Sequence, residues 1–199
     1  MRSMEVEAEV EAGTDLDLVY EPAEDTFLLL RTALEEVRPA DSVLEMGCGR
    51  GLISRELTSK ARRVIATDIN PHALRMARKT GIETVRADLF RGIKARFDLI
   101  LFNPPHLPTG PQDKLEGWLN LAFDGGVSGR ETINPFLEGL RDHLAPEGRA
   151  LLLVSSLSGL SEIEEKARSE GLEAMVVARE KYFFEELVVL RLRPADVFL

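Results

Sequence analysis

The residues with the most chemical content are Asn103-Pro104-Pro105-His106, directly after the apolar run Leu99-Ile100-Leu101-Phe102. Two prolines fix an extended turn and leave carbonyls with no competing N–H. The Asn103 side-chain oxygen and the Pro104 carbonyl are then two acceptors for the hydrogens of one –NH2 group. An amide or aryl amine nitrogen is a poor nucleophile, because its lone pair is delocalised into the adjacent π-system. Two acceptors would turn and polarise it so that the lone pair faces an electrophilic methyl in line, with no strong general base required. The plainer alternative is an Asn-Pro turn that closes a buried strand.

A methyl donor also needs a pocket, and three more segments carry suitable groups. Val43-Leu44-Glu45-Met46-Gly47-Cys48-Gly49-Arg50-Gly51 runs from a strand through a glycine turn into a helix. Gly47 and Gly49 let a ligand approach the backbone, and the following helix offers free N–H groups. The dinucleotide fingerprint fails, because its third glycine position is Leu52. Glu45 suits a ligand with an amino group and hydroxyls and disfavours a pyrophosphate. Asp68 ends Val64-Ile65-Ala66-Thr67-Asp68 and can accept both hydroxyls of a ribose, or else cap the helix that follows. Asp88 can accept from the exocyclic amine of an adenine, or else serve as a turn residue. Together these positions describe an adenosine pocket.

Such groups meet only if their strands end side by side. The chain alternates strand and helix, the signature of a mostly parallel sheet with helices on both faces. Strands are predicted over 42–46, 64–67, 84–86, 98–102, 149–154, 172–178 and 186–192, and helices over 52–59, 71–80, 131–143 and 159–170. The last two strands are expected to pair antiparallel. Pro22 opens an earlier helix with Glu24 and Asp25 in its first turn, and Phe27, Leu30, Leu34 and Val37 share one of its faces. Residues 5–11 alternate Glu with Val or Ala and read as a solvated arm, which divides the chain into an arm over 1–19 and one domain over 20–199. The stretch 107–129, rich in Pro and Gly after the fourth strand, is the predicted functional loop.

Composition narrows the function classes. The chain has 199 residues, 44% apolar and 30% charged, which suits one globular domain with a substantial core. Cys48 is the only cysteine, so no intrachain disulfide forms and a reducing compartment fits. No run reaches the roughly 20 apolar residues that span a bilayer, and no leader pattern opens the chain, so a cytoplasmic protein is expected. The net charge of −9 opposes electrostatic capture of nucleic acid. The 107–129 loop adds Asp113, Glu116 and Asp124 against a single Lys114. His72, His106 and His143 lack metal-ligand spacing, so no metal is expected. Ser155 and Ser156 lack a nucleophile elbow. Tyr182, Phe183 and Phe184 read as packing residues of the final hairpin.

These residues resemble the class I S-adenosylmethionine-dependent methyltransferases and, within them, the short archaeal and eukaryotic form of the HemK-like protein glutamine methyltransferases. Tyr20-Glu21-Pro22-Ala23-Glu24-Asp25-Thr26-Phe27 is similar to that group's opening motif, and Gly125-Gly126-Val127-Ser128-Gly129-Arg130-Glu131 to its loop after the catalytic motif. The resemblance implies a Rossmann-like seven-stranded sheet with one antiparallel strand and S-adenosyl-L-methionine as cofactor. It implies cofactor contacts at Thr26, Glu45, Gly47, Asp68, Asp88, Leu89 and Asn103. It also implies methylation of the glutamine in a Gly-Gly-Gln motif of a translation release factor, and a small zinc-binding activator subunit along the sheet edge formed by 84–86. The family's usual Tyr or Phe after Asn-Pro-Pro is His106 here, a smaller ring that can still stack. Two other readings are an amino-methyltransferase acting on adenine or guanine in RNA or DNA, and a scaffold that binds a partner without turnover. The acidic charge counts against the first, and the intact Glu45, Asp68 and Asn103 against the second.

Overall fold

Each apolar run becomes a strand in the computed structural model, which describes residues 15, 16, 18–110, 112 and 117–195. The strands are β1 (Ser42–Met46), β2 (Arg63–Asp68), β3 (Glu83–Arg86), β4 (Phe97–Phe102), β5 (Leu144–Ser155), β6 (Leu172–Lys181) and β7 (Glu186–Pro194). They form one sheet in the order β3-β2-β1-β4-β5-β7-β6, in which β7 alone runs against the others. The helices are α1 (Glu24–Glu36), α2 (Leu52–Leu57), α3 (Pro71–Lys79), α4 (Asn120–Phe123), α5 (Ile133–His143) and α6 (Leu160–Ser169). The expected seven-stranded, mostly parallel architecture is the one observed. The expected arm over 5–11 and the loop residues Asp113, Lys114 and Glu116 lie outside the described residues.

The period of two along a strand divides the core. Leu44, Met46, Ile100, Phe102, Leu152 and Val154 face α5 and α6, where Phe136, Leu140 and Ile163 meet them. Val43, Leu99, Leu101, Leu151 and Leu153 face the other way, onto Leu28, Leu29 and Ala33 of α1 and Ile53 and Leu57 of α2. Glu45 shares that second face, so it is delivered toward α2 and not into the larger core.

Two expectations about packing are corrected. The buried face of α1 carries Asp25, Thr26, Leu28, Leu29, Thr32 and Ala33, while Phe27 and Leu34 are exposed and Leu30 and Val37 only flank the core. Polar residues on the buried face disguised it; the Thr32 hydroxyl is satisfied by the Leu28 carbonyl at 2.9 Å. At the β6–β7 turn Phe183 and Phe184 stand in solvent, and only Tyr182 packs at the core margin.

The end of the sheet away from the strand carboxyl ends is locked by Arg149, 1% exposed. Its guanidinium donates to Asp41 at 2.9 Å, to the Glu36 carboxylate at 3.2 Å and to the Asp98 carbonyl at 3.0 Å. A buried cation with several acceptors is a costly group to disrupt from one side. Arg149→Met should therefore destabilise the chain by about 3–5 kcal/mol, since it strands the buried Asp41 carboxylate. Arg63→Met, which removes an exposed, solvent-screened pair with Glu83, should cost far less. Urea denaturation of both variants checks this, and equal losses would contradict it.

Candidate active site

Parallel register brings the strand ends together. Met46 of β1 lies opposite Thr67 of β2 and Phe102 of β4, so the residues that follow, Gly47, Asp68 and Asn103, emerge at one level. This is the carboxyl edge of the sheet, where open α/β folds hold ligands. A cavity of about 490 Å³ opens there. Asn103, Pro104, Pro105 and His106 line it, as do Thr26, Glu45, Gly47, Gly49, Asp68, Asp88 and Leu89. The segment before α1 helps to close it. The Arg50 guanidinium donates to the Leu16 carbonyl at 3.2 Å, and the Asn70 side-chain amide to the Leu18 carbonyl at 2.8 Å.

Asn103 is oriented by a residue that the sequence did not single out as functional. Its Nδ2–H donates to Asp25 Oδ2 at 2.9 Å. A carboxylate accepts only, so the nitrogen must face Asp25 and the oxygen the other way. That Oδ1 is buried and has no hydrogen-bond partner among the described residues. A buried acceptor left unpaired costs about 1–3 kcal/mol, so the site calls for a ligand with a donor. Asp25 is itself held: Tyr20 donates its phenol to both carboxylate oxygens at 3.0 Å, and the Thr26 amide and hydroxyl donate to Oδ1. Burial, with the adjacent Asp25 charge, pushes the Tyr20 phenol well above its ordinary value and keeps it a donor.

The Pro-Pro-His turn is shaped from below by the glycine loop. Gly125 N–H donates to the Leu107 carbonyl at 3.1 Å, and Ser158 Oγ to the His106 carbonyl at 2.6 Å. A Cβ on Gly129 would sit 2.6 Å from that same His106 oxygen, so only glycine allows the approach. His106 is buried and does not merely cover the site. Its Nδ1 lies 3.0 Å from the Pro104 carbonyl, which fixes Nδ1 as the protonated nitrogen, since a carbonyl can only accept. The expected acceptor at Pro104 thus has one lone pair engaged and the other available.

The acids gather on the opposite wall. Glu45 is buried and accepts from both the backbone N–H and the hydroxyl of Ser54. Burial outweighs those bonds and raises its carboxyl from 4.5 to about 7, with the Asp68 charge adding to the effect. Asp68 accepts from Gly49 N–H at 2.9 Å and Asn70 N–H at 2.8 Å, and burial raises it too. The cap of α3 is Asn70, which accepts from His72 N–H, so Asp68 is not spent as that cap. Asp88 pairs on the surface with Arg91 at 2.8 Å while lining the cavity. Leu89 next to it has φ +49°, left-handed backbone that a leucine rarely adopts and that collects at functional walls. Gly49 has φ +52° with nothing within 4 Å of where a Cβ would be, so a ligand has open access to the backbone. Buried acids, an open glycine turn and an unpaired acceptor fit S-adenosyl-L-methionine, a ligand with cationic, hydroxyl and amino groups.

Comparison with known proteins decides the family. Residues 24–116 match the family described as methyltransferase small domain. A Methanocaldococcus jannaschii protein, provisionally named a protein N5-glutamine methyltransferase, is 42% identical over 179 residues, covering 86% of this chain and 90% of that one. The human methyltransferase HEMK2 is 35% identical over 189 residues, covering 87% and 88%. The chain belongs to the HemK-like protein glutamine methyltransferases. Among solved structures, Mtq2 in its complex with Trm112 from E. cuniculi, responsible for methylating the termination factor eRF1, superimposes with a TM-score of 0.74. Identity there is 28%, over 89% of this chain and 99% of that one.

In this HemK-like chain the opening motif has a physical reason that spacing alone hid. Tyr20, Asp25 and Thr26 form one hydrogen-bonded group behind Asn103. The signal in the sequence was an acid one residue before Thr26, read only as a favourable first-turn charge. If Asp25 positions Asn103, Asp25→Ala should lower kcat by up to about a hundredfold, the cost of misorienting a reacting group, with cofactor Kd little changed. Asp25→Asn, which sets an –NH2 against either the Thr26 or the Asn103 donor, should be impaired as well; a cofactor Kd that weakens as much as kcat falls would refute the positioning role. Glu45 gives a second expectation. Its folded-state pKa is raised, so its contribution to stability is full below about pH 4.5 and is lost as pH rises to about 7. Cofactor-free protein should lose denaturation stability across that window, and Glu45→Gln should flatten this part of the profile. Superimposable profiles would exclude it.

Proposed function

We propose that this chain transfers the methyl group of S-adenosyl-L-methionine to the side-chain amide nitrogen of a protein glutamine, in the Gly-Gly-Gln motif of a translation release factor. The observation that carries this reading is the Asn103 amide, held by Asp25 with its buried Oδ1 left unpartnered, at the wall of a cavity that Pro104 also lines. A primary amide offers two hydrogens in one plane, and these two acceptors take one each. Held so, the nitrogen turns the face of its π-system toward the methyl, and the acceptors share the positive charge that develops on it. The cofactor, when bound, supplies the electrophilic methyl. Asp68 is suited to the ribose hydroxyls, Glu45 to the amino-bearing arm, Asp88 and Leu89 to the adenine, and Gly47 and Gly49 to close backbone approach. Thr26 borders the same space. The substrate assignment also draws on the likeness to Mtq2, whose complex methylates a termination factor.

The reading extends to setting and partners. A release factor acts in the cytoplasm, and no described helix is long and apolar enough to cross a membrane. Edge strand β3 pairs only with β2 among the described residues and leaves Val85 exposed. An open edge of this kind accepts another chain, and a small zinc-binding activator subunit is the partner proposed for it. The acids Glu24, Asp25, Glu45, Asp68, Asp88 and Glu185 line the cavity against Arg50 as the main cation, an unfavourable approach for a phosphate backbone.

Labelled cofactor should methylate release factor, and replacing the Gly-Gly-Gln glutamine by alanine should abolish the signal. DNA and RNA should be methylated negligibly at the same salt. Faster labelling of nucleic acid than of the release factor would overturn this function in favour of a base amino-methyltransferase.

A further inference from the structure

Among the described residues the most exposed large apolar side chains are Phe183 and Phe184, 92% and 83% exposed. They form the β6–β7 tip, and their rings meet edge to face with centroids 4.6 Å apart. The tip is braced from three sides. Tyr182 N–H donates to the Glu185 carbonyl at 2.8 Å, Glu186 N–H donates to Ser156 Oγ at 3.0 Å, and Ser155 Oγ donates to the Glu185 carboxylate. Tyr182 and Glu185, the residues on either side of the two phenylalanines, line the cavity.

The same bonding leads from the tip to the catalytic turn. Ser156–Ser158 is a short 3-10 turn whose last residue donates to the His106 carbonyl and accepts from Arg130. On these linked segments Leu157 and Val127 are also exposed. Exposed apolar side chains thus stand on each of the segments that this bonding joins to the catalytic turn. Aromatic side chains held in place are the groups that anchor protein interfaces.

We propose that these side chains form the docking surface for the substrate protein, an apolar collar gripping the domain around the acceptor glutamine. The proposal rests on the function proposed above and adds where the protein's bulk is held. Continuity with the cavity lining selects this occupant, because a protein that delivers a glutamine into the cavity must cover its rim. Nucleic acid is disfavoured, since the adjacent cations Arg179 and Arg31 are already paired with Glu186 and Glu180. The tip is also remote from the β3 edge, at the opposite side of the sheet.

The test compares wild-type chain with Phe183→Ser/Phe184→Ser, an exposed pair whose removal leaves the core untouched. Methyl transfer is measured on intact release factor and on a short Gly-Gly-Gln peptide. The variant should show a KM for the intact protein raised by about tenfold or more, with kcat, peptide kinetics and cofactor Kd unchanged. An unchanged KM for the protein, after efficient wild-type transfer, overturns the docking surface alone. An equal rise in KM for the peptide also overturns it, by placing the tip within the pocket. So does loss of nucleic-acid binding in place of protein binding, or a wild-type dimer that the variant dissociates. No transfer by wild type to the protein overturns the substrate reading and this proposal together.

Discussion

The hydrogen bond from Asn103 to Asp25 is the contact on which the site depends, because it decides whether the cavity presents an acceptor or a donor. With the amide turned over, its –NH2 would meet the substrate –NH2, and only the Pro104 carbonyl would be left to accept. The bond holds because α1 and β4 are pinned to each other at both ends. At the far end, Arg149 donates to Glu36, the last residue of α1, and to the carbonyl of Asp98, near the start of β4. At the near end, Asp25 in the first turn of α1 takes the amide just beyond β4. Helix and strand therefore cannot slide past each other without breaking a buried ionic contact or exposing an unpaired one. A mixed ionic and polar cluster far from the cavity thus serves the orientation of one amide within it.

The electrostatic character of the cavity follows from what is missing around its acids. Glu45 is buried and Asp68 half-buried among backbone and hydroxyl donors, with no cation paired to either carboxylate among the described residues, and both carboxyls are raised. Burial, with the nearby Glu45 and Asp68 charges, also raises the Cys48 thiol, which is thereby an inert packing group and not a nucleophile. An uncompensated negative wall is a cost for the empty fold and an attraction for a cationic ligand. A sulfonium and an amino group would supply the positive charge that the protein withholds. The cavity's charge in this way favours a cationic ligand.

What could be read from the sequence was whatever depends on local pattern. Alternating strand and helix signals placed the sheet, and acids at successive strand ends marked the pocket, because parallel register leaves such residues no other place to go. The face of α1 could not be read this way. Its helical period offers two stripes, and the apolar one, with Phe27 and Leu34, is the exposed one, while Asp25 and Thr26 turn inward to serve Asn103. The role of Asp25 depends on a contact across 78 residues of chain, which no spacing rule encodes. Phe183 and Phe184 mislead for the related reason that an apolar residue in a hairpin usually packs, and here the β6–β7 turn carries them beyond the sheet.

His106 shows how a substitution in a motif changes its physics. A Tyr or Phe after Asn-Pro-Pro contributes a flat ring, and a flat ring can only cover its neighbour. A buried imidazole has two nitrogens to satisfy, and it places Nδ1–H on the Pro104 carbonyl. That bond takes one lone pair of the oxygen and holds the carbonyl's direction. The carbonyl of His106 itself is tied to Ser158, and Gly125 and Gly129 press against the turn with no side chains between. Both acceptors in the site are therefore held by a partner behind them, Asn103 by Asp25 and Pro104 by His106. An acceptor that cannot rotate away spends no reorganisation energy when charge develops on the nitrogen before it. Seen physically, His106 gives up ring area over the substrate and gains rigidity in one of the two groups that orient it.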